Sequence, residues 1–197
     1  MIGDIIETDF CRFLFLWYNQ NMKIIKEIRE KDVGLNEEER FDKPYLLRKA
    51  SRAVVFNDNN EIAFQFASKH KYYKLPGGGV EKGETIKEAL KREVLEESGC
   101  EIDITDEVGI IIEYRNKFDT LQISYCFLAK VIGGVGSPEY EEAEIDEGLT
   151  PMWVPIEKAI KLIEETDTDN YQGKLIRVRD LLFLKEAFRL INKREHN

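Results

Sequence analysis

The 197-residue sequence has few cysteines, no long hydrophobic run and no excess of positive charge. Its three cysteines, Cys11, Cys100 and Cys126, lie far apart and form no Cys-x-x-Cys pair. This spacing argues against a disulfide framework and against a zinc site. It predicts a cytoplasmic protein, because free thiols are typical of a reducing compartment.

No part of the sequence resembles a membrane anchor or a secretory signal. The longest apolar run, residues 13–18, is far shorter than the roughly 20 residues that a spanning helix needs. The residues before it include Asp4, Glu7 and Asp9, whereas a signal peptide begins with basic residues. We therefore expect no association with a membrane.

Acidic residues outnumber basic ones, 38 to 29, for a formal net charge of −9. Because the basic residues do not cluster strongly, we expect no binding to nucleic acid. Hydrophobic residues make up 43% of the chain, which excludes a disordered protein, and the length suits one principal domain. An acidic protein that acts on phosphates would need divalent cations as intermediaries.

The first 50 residues differ from the remainder. Residues 1–21 are aromatic and apolar without a clear period, and Met22 begins a segment like an ordinary protein start. Residues 1–21 are therefore either an over-long reading frame or an element that packs on the domain or on a second subunit. Residues 23–50 suggest a short strand and a connector. We expect residues 1–50 to be an extension and residues 51–197 to be the main domain.

From residue 51 onward, strand and helix patterns are mixed, which predicts an α/β layered domain. Two β-rich runs, 53–56 and 62–66, flank an Asn/Asp turn and predict a hairpin. Thr85, with Glu88 three residues later, forms a capping box for a helix that ends before Gly99. The predicted strands are 108–114, 121–132 and 151–154, and the predicted helices are 86–98, 156–165 and 174–193.

The helix after Thr85 has acidic residues where its pattern calls for apolar ones. Ile86, Ala89 and Leu90 form an apolar stripe, which continues to positions 93 and 97. Both positions are glutamates, and Glu96 lies alongside. Like charges at this spacing are mutually unfavourable, so these residues form either a solvated face or a site for a divalent cation.

A glycine-rich loop precedes this helix. Gly77, Gly78 and Gly79 allow a close approach that side chains would block. The loop ends near the helix start, where free N–H groups attract anions. Together, the loop and the glutamates predict a site for a metal-bound polyphosphate.

These residues resemble the Nudix box, G-x5-E-x7-R-E-U-x-E-E-x-G-U, at every fixed position. The matching residues are Gly78, Glu84, Arg92, Glu93, Val94, Glu96, Glu97, Gly99 and Cys100. Cys100 is a soft departure, because the family usually has a bulky aliphatic residue there. The resemblance to Nudix hydrolases implies an α/β/α sandwich with a mixed β-sheet between helices. It also implies hydrolysis of a nucleoside diphosphate linked to another group.

The resemblance also assigns roles to residues by position. It implies that Glu93, Glu96 and Glu97 bind Mg²⁺, or Mn²⁺ in its place, together with the Gly77 carbonyl. Either Glu93 or a glutamate of the later acidic loop would be the general base, Glu147 first and Glu144 next. The candidate catalytic residues are Glu84, Arg92, Glu93, Glu97 and Glu147, of which Arg92 and Glu84 resemble the pair that orients the catalytic helix and its glutamates. The candidate substrate contacts are Gly78, Gly79, Arg52 and Lys74.

Several substrates remain open. The sequence lacks the markers of several other Nudix subfamilies. By elimination, it resembles the MutT-like group, which acts on nucleoside triphosphates or their oxidised forms. ADP-ribose, nucleotide sugars and diadenosine polyphosphates are the alternatives. A regulator that senses nucleotides without catalysis is the alternative from another class, although such proteins usually lack box glutamates. The apolar repeat of the last helix is interpreted as core packing, with a homodimer contact as the alternative.

Overall fold

The computed structural model describes residues 22–36 and 43–195. The strands are β1 (Ile24–Ile28), β2 (Leu46–Phe56), β3 (Ile62–Ala67), β4 (Tyr72–Lys74), β5 (Glu101–Arg115), β6 (Thr120–Ile132) and β7 (Leu149–Val154). The α-helices are α1 (Ile86–Ser98), α2 (Glu142–Glu147), α3 (Ile156–Glu165) and α4 (Tyr171–Glu195). Both interpretations of residues 1–21 lie outside the described residues.

The strands form one mixed sheet in the order β1-β5-β6-β2-β3-β4, with β7 paired to β3. β2 runs parallel to β6 along its whole length, and β1 runs parallel to β5. The remaining pairs are antiparallel. The long β2–β6–β5 pairing forms the centre of the sheet.

Helices cover both faces of this sheet. On one face, Leu90 of α1 packs in a cluster with Ala53 and Val55 of β2. On the other face, Val54 lies in a cluster with Phe183 of α4 and with residues of α3. Successive strand residues point to opposite faces, which explains why both clusters draw on β2. The predicted α/β/α sandwich with a mixed β-sheet is confirmed.

The predicted helices 86–98, 156–165 and 174–193 are confirmed, and the last begins earlier, at Tyr171. Side chains of α4 that were predicted to pack in the core do so: Leu184 is fully buried and Phe188 is partly buried beside the same cluster. None of the helices in the described part of the chain is long and apolar enough to span a membrane.

Besides β2, which begins at Leu46 where the sequence predicted residue 53, three elements differ from the sequence prediction. β5 begins at Glu101, whereas the sequence predicted a start at 108. The first part of β5 escaped prediction because it carries the acidic residues Asp103 and Asp106 and because register shifts on either side of Asp106 interrupt the alternation typical of a strand. β4 is too short to show periodicity. The acidic stretch 139–147 was predicted as a loop, but it contains α2, which a capping box at Glu141 begins.

The expected boundary between residues 50 and 51 lies inside β2. In addition, β1 pairs with β5 and thus joins the same sheet. Residues 24–28 and 46–50 therefore contribute strands to the layered domain.

Candidate active site

The glycine loop is held beside β2. The Ser51 amide donates a hydrogen bond to the Gly78 carbonyl at 3.0 Å. Gly77 has a φ of 128°, and a Cβ at this position would collide with the Ser51 carbonyl. A Cβ at Gly78 would collide with the carboxylate of Glu93. Glycine at these two positions lets the loop lie between β2 and α1.

Both ends of α1 are capped as predicted. The Thr85 hydroxyl accepts from the Glu88 amide at 3.2 Å, and the Thr85 amide donates to the Glu88 carboxylate at 2.7 Å. Gly99 has a φ of 65°, and its amide donates to Leu95. The capping box and the glycine stop are confirmed. They set where α1 begins and ends relative to the loop.

Glu97 is the buried carboxylate of α1, with 1% of its surface exposed. It accepts hydrogen bonds from Lys74 Nζ at 2.8 Å and from the Gly77 amide. A buried carboxylate is costly unless it is paired and hydrogen-bonded, and these two donors supply both. Glu97 thus joins α1 to β4 and to the glycine loop.

Arg92 contacts the other carboxylates of the box. Its guanidinium donates to Glu84 at 2.9 Å and to Glu93 and Glu96 at 3.0 Å each. It also donates to the Gly79 carbonyl at 3.1 Å. The hydrogen bond to Glu84 is the main reason that the pKa of Arg92 is raised. These contacts suit the orienting role predicted for Arg92 and Glu84, and that role stays a prediction.

The carboxylates of α1 influence one another. Burial, followed by the charge of Glu97, raises the pKa of Glu93 above its ordinary value. The neighbouring Arg92 acts in the opposite direction but does not offset both effects. Glu93 therefore takes up a proton more readily than an exposed glutamate does.

The helix α2 brings two more carboxylates to this region. Glu147 accepts a hydrogen bond from the Tyr72 hydroxyl at 3.1 Å. Glu144 lies 3.8 Å from Lys74 Nζ, and its pKa is raised to about 7, by burial first and then by contact with Glu97. Of the two loop candidates, Glu144 is the one that contacts the buried glutamate.

These residues surround a cleft of about 520 Å³. Its lining includes most of the predicted site residues: Arg52, Lys74, Gly77, Gly78, Gly79, Arg92, Glu93, Glu96, Glu97 and Glu147. Glu84 reaches the site through Arg92. A second cavity of similar size, about 510 Å³, lies near Phe56 and Ile191 and has none of these residues in its lining. The acidic cluster therefore makes this cleft the candidate functional site.

The sequence prediction gave only part of one wall of the cleft: it named Arg52 and Arg115 as possible phosphate contacts and missed Arg48 and Arg179. Besides Arg52, that wall contains Arg48, Arg115 and Arg179. We call these four residues the arginine cluster, and we call Glu93, Glu96 and Glu97 the acidic wall. The sequence did contain a signal for Arg179, since the charged residues at 179 and 180 interrupt the apolar repeat of α4.

The donor chemistry of the acidic wall fits a hard divalent cation, which prefers oxygen ligands. Among the residues that the structure describes, no group of three His, Cys, Asp or Glu side chains lies in an arrangement that could hold a metal ion. Instead, Arg92 contacts Glu93 and Glu96, and Lys74 contacts Glu97. In chemical type, the carboxylates of the acidic wall fit the cation.

Residues 46–177 match the NUDIX domain family. The chain belongs to this family. The NUDIX match extends from the start of β2 into α4, so it includes the acidic wall and every member of the arginine cluster except Arg179.

Three curated relatives each match part of this chain. An oxidized purine nucleoside triphosphate hydrolase of Danio rerio is 37% identical over 83 residues, which cover 42% of this chain and 48% of that protein. An RNA pyrophosphohydrolase of Campylobacter jejuni is 43% identical over 60 residues, covering 30% and 32%. An 8-oxo-dGDP phosphatase of Homo sapiens is 33% identical over 106 residues, covering 52% and 31%. The chain spans less than two thirds of the length of each relative.

Two solved structures share the fold. A MutT protein from Methanosarcina mazei Go1 has a TM-score of 0.50 and 23% identity, over 75% of this chain and 99% of that one. The E. coli ORF135 protein has a TM-score of 0.54 and 17% identity, over 78% and 96%. These similarities support the Nudix-type architecture of the α/β/α sandwich.

Proposed function

We propose that this NUDIX protein hydrolyses the pyrophosphate bond of a nucleoside diphosphate linked to another group. The observation that carries the proposal is the buried Glu97, which Lys74 and the Gly77 amide hold between the glycine loop and α1. Within that class we propose nucleoside triphosphates or their oxidised forms, in agreement with the name of the Danio rerio relative.

The acidic wall would hold the cation, which we propose to be Mg²⁺, with Mn²⁺ in its place as a substitute. When bound, such a cation neutralises phosphate oxygens and lowers the pKa of water. Arg92 orients Glu93 and Glu96, since it donates to both at 3.0 Å. Lys74 orients Glu97.

A carboxylate near this wall would accept the proton of the attacking water. Glu93 is one candidate. Of the loop glutamates, we now place Glu144 before Glu147, since its raised pKa of about 7 suits proton transfer near neutral pH and it lies beside Glu97. Glu147 accepts a hydrogen bond from the Tyr72 hydroxyl.

The alternatives within the family are ADP-ribose, nucleotide sugars and diadenosine polyphosphates. The alternative from another class is a sensor that binds nucleotides without hydrolysis. Cytoplasmic location is also a proposal, and it rests on the buried free thiols Cys100 and Cys126.

Phosphate and pyrophosphate release from a panel of nucleotides tests the proposal. Activity is expected in Mg²⁺ or Mn²⁺ and not in EDTA, with Glu97→Gln lowering kcat by about 10²-fold or more. Glu157→Gln, at an exposed residue of α3, is the matched control and should retain wild-type activity. Nucleotide binding without any release of phosphate would instead support the sensor.

A further inference from the structure

The arginine cluster brings together four cations from distant parts of the chain. Arg48 and Arg52 lie on β2, and Arg115 lies at the end of β5. Arg179 comes from α4, which covers this face of the sheet. Arg52, Arg115 and Arg179 are at most 8% exposed, and Arg48 stays exposed at the rim. All four line the cleft that also contains the acidic wall.

Two buried acids lie among these arginines, and their oxygens are already engaged. Glu113 accepts from Arg115 at 2.8 Å, from Gln122 at 2.8 Å and from Ser124 at 3.1 Å. Asp180 accepts from Arg179 Nε at 2.6 Å and from the Leu75 amide at 2.9 Å. Arg179 Nη1 is 3.6 Å from Glu113, beyond hydrogen-bond distance. The two acids hold Arg115 and Arg179 in place without using all of the donors of these arginines.

Several buried guanidinium nitrogens of the cluster have no hydrogen-bond partner among the described residues. They are Arg52 Nε, Arg115 Nε, and both Nη atoms of Arg179. Unpartnered buried donors are unfavourable, more so on a charged group, and they are rare in folded proteins. Burial, together with the charge of Arg179, lowers the pKa of Arg52 to about 10. Both observations indicate positive charge that an anion would stabilise.

The position of the cluster suits a phosphate beside the one that is cleaved. Gly79 lies between the two walls, because its carbonyl accepts from Arg92 while a Cβ there would be 3.0 Å from Arg48 Nη2. The scissile bond would lie near the acidic wall. A neighbouring phosphate would lie across Gly79, where planar guanidinium groups match its oxygens.

We propose that the arginine cluster is a subsite for an additional phosphate of the substrate, so that the protein prefers nucleoside triphosphates to compounds with two phosphates. This inference rests on the proposed function, since it assumes that a nucleotide occupies the cleft. It extends that function because Arg48, Arg115 and Arg179 become specificity-determining residues. ADP-ribose and nucleotide sugars have no third phosphate to place there.

Calorimetry with two uncleavable guanosine analogues in Mg²⁺ tests the subsite. One is a triphosphate and the other a diphosphate, with methylene groups in place of the bridging oxygens. The wild type should bind the triphosphate more tightly by about tenfold or more, since hydrogen bonds to charged groups are strong. Arg48→Gln and Arg115→Gln should each reduce this preference several-fold, while Arg189→Gln, an exposed residue of α4 outside the cleft lining, should retain it.

Arg48→Gln keeps the test decisive if the buried Arg115→Gln variant fails to fold. The subsite would be overturned if the wild type bound the two analogues with equal affinity or bound neither of them. It would also be overturned if Arg48→Gln kept the wild-type preference for the triphosphate. The readout does not depend on turnover. An arginine-dependent preference in a protein without hydrolysis would contradict the proposed function alone, and hydrolysis without the preference would contradict the subsite alone.

Discussion

The two walls of the cleft are built in opposite ways. The acidic wall comes from one helix, in which Glu93, Glu96 and Glu97 lie on neighbouring turns. The arginine cluster comes from β2, β5 and α4, and its members meet only after those elements pack. A site can therefore be half visible in local spacing and half hidden in tertiary contacts.

The two walls also differ electrostatically. On the acidic wall, burial and like charge raise the pKa of Glu93. In the arginine cluster, burial would also raise the pKa of Glu113, but Arg115 and Arg179 outweigh it and lower the pKa to about 2. The acidic wall therefore favours proton uptake or the binding of cations, whereas the arginine cluster keeps Glu113 ionised.

The largest expected effect is on the stability of the arginine cluster. Glu113→Gln should reduce the free energy of unfolding at pH 7 by about 3–5 kcal/mol, because it leaves buried arginines without their counter-charge. Glu101→Gln, at an exposed residue of the same strand, is the control. Urea unfolding measures both, and equal midpoints would show that Glu113 does not anchor the cluster.

The contribution of Glu113 to the free energy of unfolding should depend on pH. The pKa of Glu113 is about 2 in the folded state against an ordinary 4.5. Between these values the unfolded state binds more protons, so stability is fully present above about 4.5 and is lost as pH falls towards 2. The difference between the wild type and Glu113→Gln in urea should therefore shrink on going from pH 7 to pH 3.

The next effect concerns the acidic wall. Arg92→Gln should lower kcat/KM by about 10–100-fold, because residues that orient metal ligands have effects of this size. Lys91→Gln, at an exposed neighbouring position of α1, is the control. Calorimetry with Mg²⁺ should show weaker binding in Arg92→Gln only. If the two variants had the same activity and the same Mg²⁺ affinity, Arg92 would have no orienting role.

A smaller effect should separate the two loop glutamates. Glu144→Gln is expected to lower kcat by about tenfold or more, the low end expected for a proton-transfer group, and to flatten the pH–rate profile near pH 7. Glu147→Gln should change kcat less, since its carboxylate bonds to Tyr72. The opposite order would restore Glu147 as the preferred base.

The smallest effect is expected at the start of α1. Thr85→Ala removes one side of the capping box and should cost ~1 kcal/mol of stability. Thermal unfolding monitored by circular dichroism measures the change. A neutral substitution would mean that packing of Leu90 and Val94, and not the cap, holds the helix in position.

Prediction from the sequence worked where the information was local. The hairpin, the limits of α1 and the layered architecture depend on residues a few positions apart, and all were confirmed. The sequence prediction missed α2, because an acidic stretch resembles a solvated loop until Glu141 is seen to cap it. It ranked Glu147 before Glu144 by distance along the chain, which does not show which carboxylate lies beside Glu97, and the choice of base stays a prediction.

Local spacing was enough to establish the acidic helix and its glycine loop, since one turn of helix places residues three and four apart on the same side. The arginine cluster required the assembled fold. Arg48, Gln122 and Glu113 become neighbours only through the register of β2 with β6 and of β6 with β5. Arg179 joins them because α4 packs on that face, and no pattern within a single segment contains this arrangement.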